Sequence, residues 1–94
     1  MKITGVDKMT RIFSEAGKAA EALGVDLATV TFDPSDPESV RAAIREMEQT
    51  VDRKVSRWRG NPIVAELARG TKKALRDGIN KRAREGRAQP GHGD

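Results

Sequence analysis

With 94 residues, 36% of them hydrophobic and 34% charged, and with Phe13, Phe32 and Trp58 as its aromatics, the chain has room for one small domain with a thin core. It has no cysteine, which excludes disulfides and thiolate metal sites, and no apolar run of signal-peptide length or near the roughly 20 residues of a membrane span. The formal charge of +4 is lopsided: residues 1–68 carry ten Lys/Arg against eleven Asp/Glu and residues 69–94 eight against three, so the surplus sits at the C-terminal end. A soluble, cytoplasmic protein with no membrane segment is expected.

Residues 1–6 are partly β-branched and lead to Asp7, a candidate N-cap for the pattern Met9, Ile12, Phe13, Ala16, Ala20, Leu23, which closes at Gly24. This predicts a first helix at about 8–23. Next, Ala28-Thr29-Val30-Thr31-Phe32 alternates apolar and hydroxylated side chains, as a half-buried strand over residues 27–33 would. Its partner within the chain is residues 1–6, in a parallel pair with a right-handed crossover and unpaired edges; otherwise both segments lie extended over the helices.

Asp33-Pro34-Ser35-Asp36-Pro37-Glu38 is a turn and a helix start, with Asp36 as cap, Pro37 at the first helical position and Glu38 complementing the macrodipole. The second helix, about 37–59, presents Val40, Ile44, Met47, Val51, Val55 and Trp58 on one face, in steps of three and four. After the breaker Gly60-Asn61-Pro62, Asn61 caps a third helix whose face is Val64, Leu67, Thr71, Leu75 and Ile79. Its packed part is expected to end near Ile79, leaving a basic extension through Lys81–Arg87, and residues 89–94 form a disordered tail. The expected fold is mainly α: one domain over 1–88, with a helical hairpin at 37–80, the N-terminal helix and a minor two-stranded β element.

Few residues point to catalysis. Asp33, Asp36 and Glu38 form an acidic cluster, but the spacing and glycine of a calcium loop are missing and each carboxylate has a capping or turn role. His92, the single histidine, lies between glycines in the tail, where nothing holds an imidazole against a reacting proton. Gly70-Thr71-Lys72 matches the end of a phosphate-binding loop, but the earlier glycine is absent and the segment lies inside a helix. An enzyme is not expected, and no cofactor or metal is implied.

Two surfaces are candidates for binding. A helical wheel puts Arg69, Lys73, Arg76, Arg84 and Arg87 away from Leu67, Thr71 and Ile79, with Lys72 on the flank and Arg82 returning to the apolar side. Such a stripe either tracks nucleic-acid phosphates, without sequence preference, or is a solvated face. No aromatic lies among these basic residues to stack on bases. Trp58, between Arg57 and Arg59, either packs the base of the hairpin or anchors an interface, because Trp and Arg are enriched in binding hot spots.

The opening Ile3-Thr4-Gly5-Val6-Asp7-Lys8-Met9 resembles the start of small tail-completion and neck proteins of tailed bacteriophages. The stretch Asp52 to Ile79, with Asn61-Pro62-Ile63-Val64, is similar to short proteins of prophage morphogenesis regions. The resemblance implies a non-enzymatic virion-assembly component that works as an oligomer. The expected function is therefore protein–protein interaction or self-association, with nucleic-acid binding through the C-terminal helix as the alternative. A thin core and an unpaired strand edge both favour an oligomer.

Overall fold

A computed structural model describes residues 5–24 and 31–87. Its elements are α1 (Gly5–Leu23), α2 (Pro37–Lys54), a single turn of 3-10 helix (Ser56–Trp58) and α3 (Pro62–Arg87). The molecule is a rod of 71 × 16 × 16 Å, and α3, with 26 residues, is its spine. Both other helices pack on α3 and barely touch each other.

Each helix start follows from local chemistry. The Asp36 carboxylate accepts the Glu38 N–H at 3.0 Å, and Pro37 opens α2 with a φ already suited to a helix. In the preceding turn the Asp33 carboxylate accepts the Ser35 hydroxyl at 2.7 Å and the Ser35 N–H at 3.0 Å. These two hydrogen bonds, the hydroxyl first, hold the Asp33 carboxyl below its ordinary pKa. The acidic cluster is thus a turn and a cap, while Glu38 pairs with Arg41 at 2.9 Å. Arg53 and Lys54 sit in the last turn of α2, where cations suit the macrodipole.

The β element is not present among the described residues. Gly5 and Val6 belong to α1 instead, and Thr31, Phe32 and Asp33 have no regular structure; residues 1–4 and 25–30 lie outside the described residues. Val6 continues the helical repeat through Met9 and Phe13, and its carbonyl accepts the Thr10 hydroxyl at 2.9 Å. Asp7 accordingly lies in the first turn of α1 rather than before it. Phe32 leaves the strand pattern because it has a different job: it packs against the core, with the Arg82 guanidinium 5.0 Å from its ring centroid.

The hairpin of α2 and α3 is antiparallel about the 3-10 turn, and its register is set by Asp52 against Lys72 and Glu48 against Arg76. Met47, Val51 and Val64 are fully buried at its centre. Around them lie Val40, Ala43, Val55, Ala68, Ile79 and Ala83, joined from α1 by Ala16, Ala19 and Leu23. Ile44, Leu67 and Leu75 lean on this core from its edge and are half-buried. With Ala16, Ala19, Ala43, Ala68 and Ala83 among the buried residues, a 16 Å wide rod closes with few large side chains.

The packed face of α3 does not stop at Ile79. Ala83 is 2% exposed, and a Cβ on Gly86 would stand 2.6 Å from the Pro34 side chain. The loop before α2 lies across the last turns of α3 and needs glycine beneath it. The expected basic extension is instead a packed helix end.

Candidate functional site

The C-terminal basic residues do not form one free stripe. Lys72 and Arg76 lean toward α2, where they pair with Asp52 at 2.9 Å and Glu48 at 3.2 Å. Arg76 does not point away from the packed side, because α2 occupies the flank of α3 that a wheel drawn for α3 alone leaves open. Arg69 is paired with Glu66 and Lys73 with Asp77, both within α3. Arg84 is exposed, and Arg87 is the last residue of α3. The pairs are exposed or half-exposed, so each contributes less than about 1 kcal/mol, yet each also lowers the local positive field. Gly70-Thr71-Lys72 lies within α3 and forms no loop; His92 lies outside the described residues.

The closed end of the hairpin is different. Asn61, 5% exposed, caps α3 by accepting the N–H groups of Ile63 and Val64 through Oδ1 at 2.9 and 3.1 Å. Its Nδ2 donates to the Ile12 carbonyl at 3.1 Å and to Glu15 Oε1 at 3.0 Å. One amide therefore both starts α3 and fastens α1 to the hairpin. Trp58 is half-buried beside it, with the Arg57 guanidinium 5.3 Å from the ring centroid. The indole thus packs on the core and still faces outward, which is compatible with both roles expected of it. On one side of the indole, a groove of about 450 Å³ is lined by Lys8, Arg11 and Arg57 together with Glu15; on the other, one of about 500 Å³ is lined by Arg59, Arg69 and Lys72 together with Asp52.

A third surface lies along α1. Its core-facing side is Ile12, Glu15, Ala16, Ala19 and Leu23. Roughly 120° round the helix run Val6, Met9, Phe13, Gly17 and Ala20. Val6 is 71%, Met9 57% and Phe13 59% exposed, the large apolar side chains left uncovered among the described residues. The Met9, Phe13 and Ala20 positions of the sequence pattern are therefore surface, and Ala19 takes the core position.

A family model for YuaX matches residues 3–90, which is nearly the whole chain. The chain belongs to the YuaX family. The uncharacterized protein YuaX of Escherichia coli strain K12 is 38% identical over 91 residues, spanning 97% of this chain and 94% of that protein. No solved structure matches the chain. The YuaX relationship carries no activity, substrate or partner, so function has to be argued from the surfaces themselves.

Among the described residues, no group of three His, Cys, Asp or Glu is placed to hold a metal ion, and no helix is long and apolar enough to cross a membrane. Two features escaped the sequence. The second hydrogen-bonding edge of Asn61 links residues 46 and 49 positions apart, and local patterns carry no trace of it. The outer face of α1 is the other: Val6 read as part of a strand and Met9 and Phe13 as core, and only the placement of α3 shows which side of α1 is covered.

Proposed function

We propose that this protein is a non-catalytic assembly module that pairs with a second copy of itself through the outer face of α1. The observation that carries the reading is the order of large and small residues along that face. An antiparallel copy centred on Phe13 sets Met9 opposite Gly17 and Val6 opposite Ala20, so each large side chain meets a small one. Phe13 meets itself on the dyad. A two-fold interface requires this kind of self-complementarity, and a seven-residue spacing such as Val6 to Phe13 to Ala20 is the one that keeps two helices in register.

Gly17 supports the same reading. A mid-helix glycine costs about 1 kcal/mol relative to alanine, and a Cβ here would meet nothing within 4 Å inside the monomer. Its absence serves a close approach from outside. Three exposed apolar side chains on each copy give up about 1–2 kcal/mol apiece on burial, against an association cost of about 4–15 kcal/mol. The pair is therefore concentration-dependent rather than permanent. A virion-assembly setting rests on the resemblance of residues 3–9 and 52–79 alone, and pairing does not require it.

Sedimentation equilibrium from about 1 to 200 µM, a range that brackets weak dimers, tests the proposal. The wild type should move from monomer to dimer, and Phe13→Ser and Gly17→Leu should both stay monomeric with unchanged helicity. A wild type that remains monomeric throughout would point to a different protein as the occupant of this face and reject self-pairing.

A further inference from the structure

We infer that the closed end of the hairpin is a binding site for single-stranded nucleic acid, with Trp58 as a stacking platform between a groove edged by Lys8, Arg11 and Arg57 and one edged by Arg59. The site is distinct from the stripe on α3 and does not rest on pairing of α1.

The argument begins with which cations are free. Among the described residues, Lys8, Arg11, Lys54, Arg57 and Arg59 have no carboxylate within 4.0 Å, whereas Arg69, Lys72, Lys73 and Arg76 all do. The run from Arg53 to Gly60 contains four basic residues and no acidic one. The carboxylates that line the two grooves are already committed: Glu15 to the Asn61 amide and Asp52 to Lys72. Unpaired guanidinium groups of this kind offer planar, bidentate donors suited to phosphate oxygens.

The second element is the indole. Trp58 lines both grooves, so a chain crossing from one to the other passes over it. Arg57 lies against the ring and adds its own plane to the platform, since bases stack on guanidinium groups as well as on aromatics. A cationic track with an aromatic between its halves is the arrangement by which single strands are held without sequence preference. Duplex DNA would leave the indole unused, because its bases are already stacked. A lipid surface would need apolar side chains beside Trp58 to insert, and its neighbours Ser56, Arg57, Arg59 and Gly60 are exposed and not apolar.

Lys8 and Arg11 lie about 140–160° round α1 from the Val6, Met9, Phe13 face, so both surfaces can be occupied together. The cations come from α1 and from the hairpin, and the contacts of Asn61 bring them together.

Trp58 is the single tryptophan of the chain, so its fluorescence reports directly on its own surface. Titration with oligo-dT of about 20 nucleotides in 50 mM NaCl should quench that fluorescence and raise the anisotropy of the labelled strand. Four phosphate contacts on a single strand, one each from Lys8, Arg11, Arg57 and Arg59, predict a slope of about −2.8 in log affinity against log salt, hence roughly fiftyfold weaker binding at 200 mM. Arg57→Gln with Arg59→Gln, and separately Lys8→Gln with Arg11→Gln, should each flatten the slope by about 1.4, at 0.7 per contact. Both pairs are exposed, so the variants keep the fold; Lys73→Gln, Arg76→Gln and Arg84→Gln together, which line neither groove, should change binding less than twofold. Absence of binding at 50 mM, binding without quenching, loss in the α3 triple variant but not in the closed-end variants, or equal affinity for anionic phospholipid vesicles would each overturn the assignment.

Discussion

Asn61 makes four hydrogen bonds from one side chain, and substitutions separate them. Asn61→Ser keeps an N-cap oxygen for Ile63 and Val64 but cannot reach Ile12 and Glu15. Losing those two bonds at about 0.5–1.5 kcal/mol each predicts a loss of about 1–3 kcal/mol. Asn61→Ala removes the cap as well, which adds about 1 kcal/mol and brings the total to about 2–4 kcal/mol. Asn61→Asp is the telling case. It is a good cap and complements the α3 macrodipole, yet it places an oxygen where Nδ2 now donates to a carbonyl and a carboxylate. At pH 7 it should be less stable than Asn61→Ser, and the deficit should shrink as the pH falls through the carboxylate range and the facing pair gains a proton. Urea melts followed at 222 nm, at one fixed protein concentration because pairing shifts apparent stability, measure all three. Amide exchange in α1 should rise most in Asn61→Ser relative to its global loss, because α1 is what the lost bonds hold. Asn61→Ser as stable as wild type, or Asn61→Asp more stable than Asn61→Ser at pH 7, would refute the link between cap and α1.

Glycines in α3 should split by what stands over them. Gly86→Ala meets the rigid Pro34 ring at 2.6 Å and should destabilise by about 1–3 kcal/mol, whereas Gly70→Ala and Gly78→Ala face open space and should stabilise by about 0.5–1 kcal/mol in thermal melts. Met47→Ala, at a fully buried site, should cost about 2–5 kcal/mol in urea melts, and Ile44→Ala, at the edge of the same helix face, about half as much. Equal losses at the two positions would contradict the placement of the core between Met47, Val51 and Val64.

The starts of α2 and α3 were legible because they are local: Asp36-Pro37 and Asn61-Pro62 each carry a cap and a first-turn proline within two residues, whereas α1 begins at Gly5, ahead of the Asp7 cap that the sequence offered. The face of α2 was equally legible, since Val40, Met47, Val51 and Val55 all point to one neighbour, α3. The face of α3 was less so. This helix packs on α1 along one flank and α2 along another, so its large side chains Leu67 and Leu75 fall at the edges while Ala68 and Ala83 take the close contacts. Periodicity weights large residues and passes over alanines. For the same reason Met9 and Phe13 read as core when they are surface. The alternation of Ala28–Phe32 predicted a strand, but Thr31–Asp33 have no regular structure and Phe32 packs on the core beside Arg82; residues 27–30 lie outside the described residues. In the candidate sites, residue type identified the cations, but ion pairs decided which were free. Those depend on Asp52 and Glu48, 20 and 28 positions from their partners.

The absence of cysteine allows the pairing of α1 to be probed with one introduced thiol. On a two-fold axis at residue 13, two cysteines of Phe13→Cys face each other at disulfide distance, about 4.4–6.8 Å between Cα atoms. Mild oxidation of Phe13→Cys at about 200 µM, where the disulfide traps even the transient pair that remains without the Phe ring, should give a covalent dimer that retains its helicity, while Ala42→Cys, exposed on α2, should remain largely monomeric. Equal cross-linking at the two positions, or none at residue 13, would contradict a second copy seated on the outer face of α1.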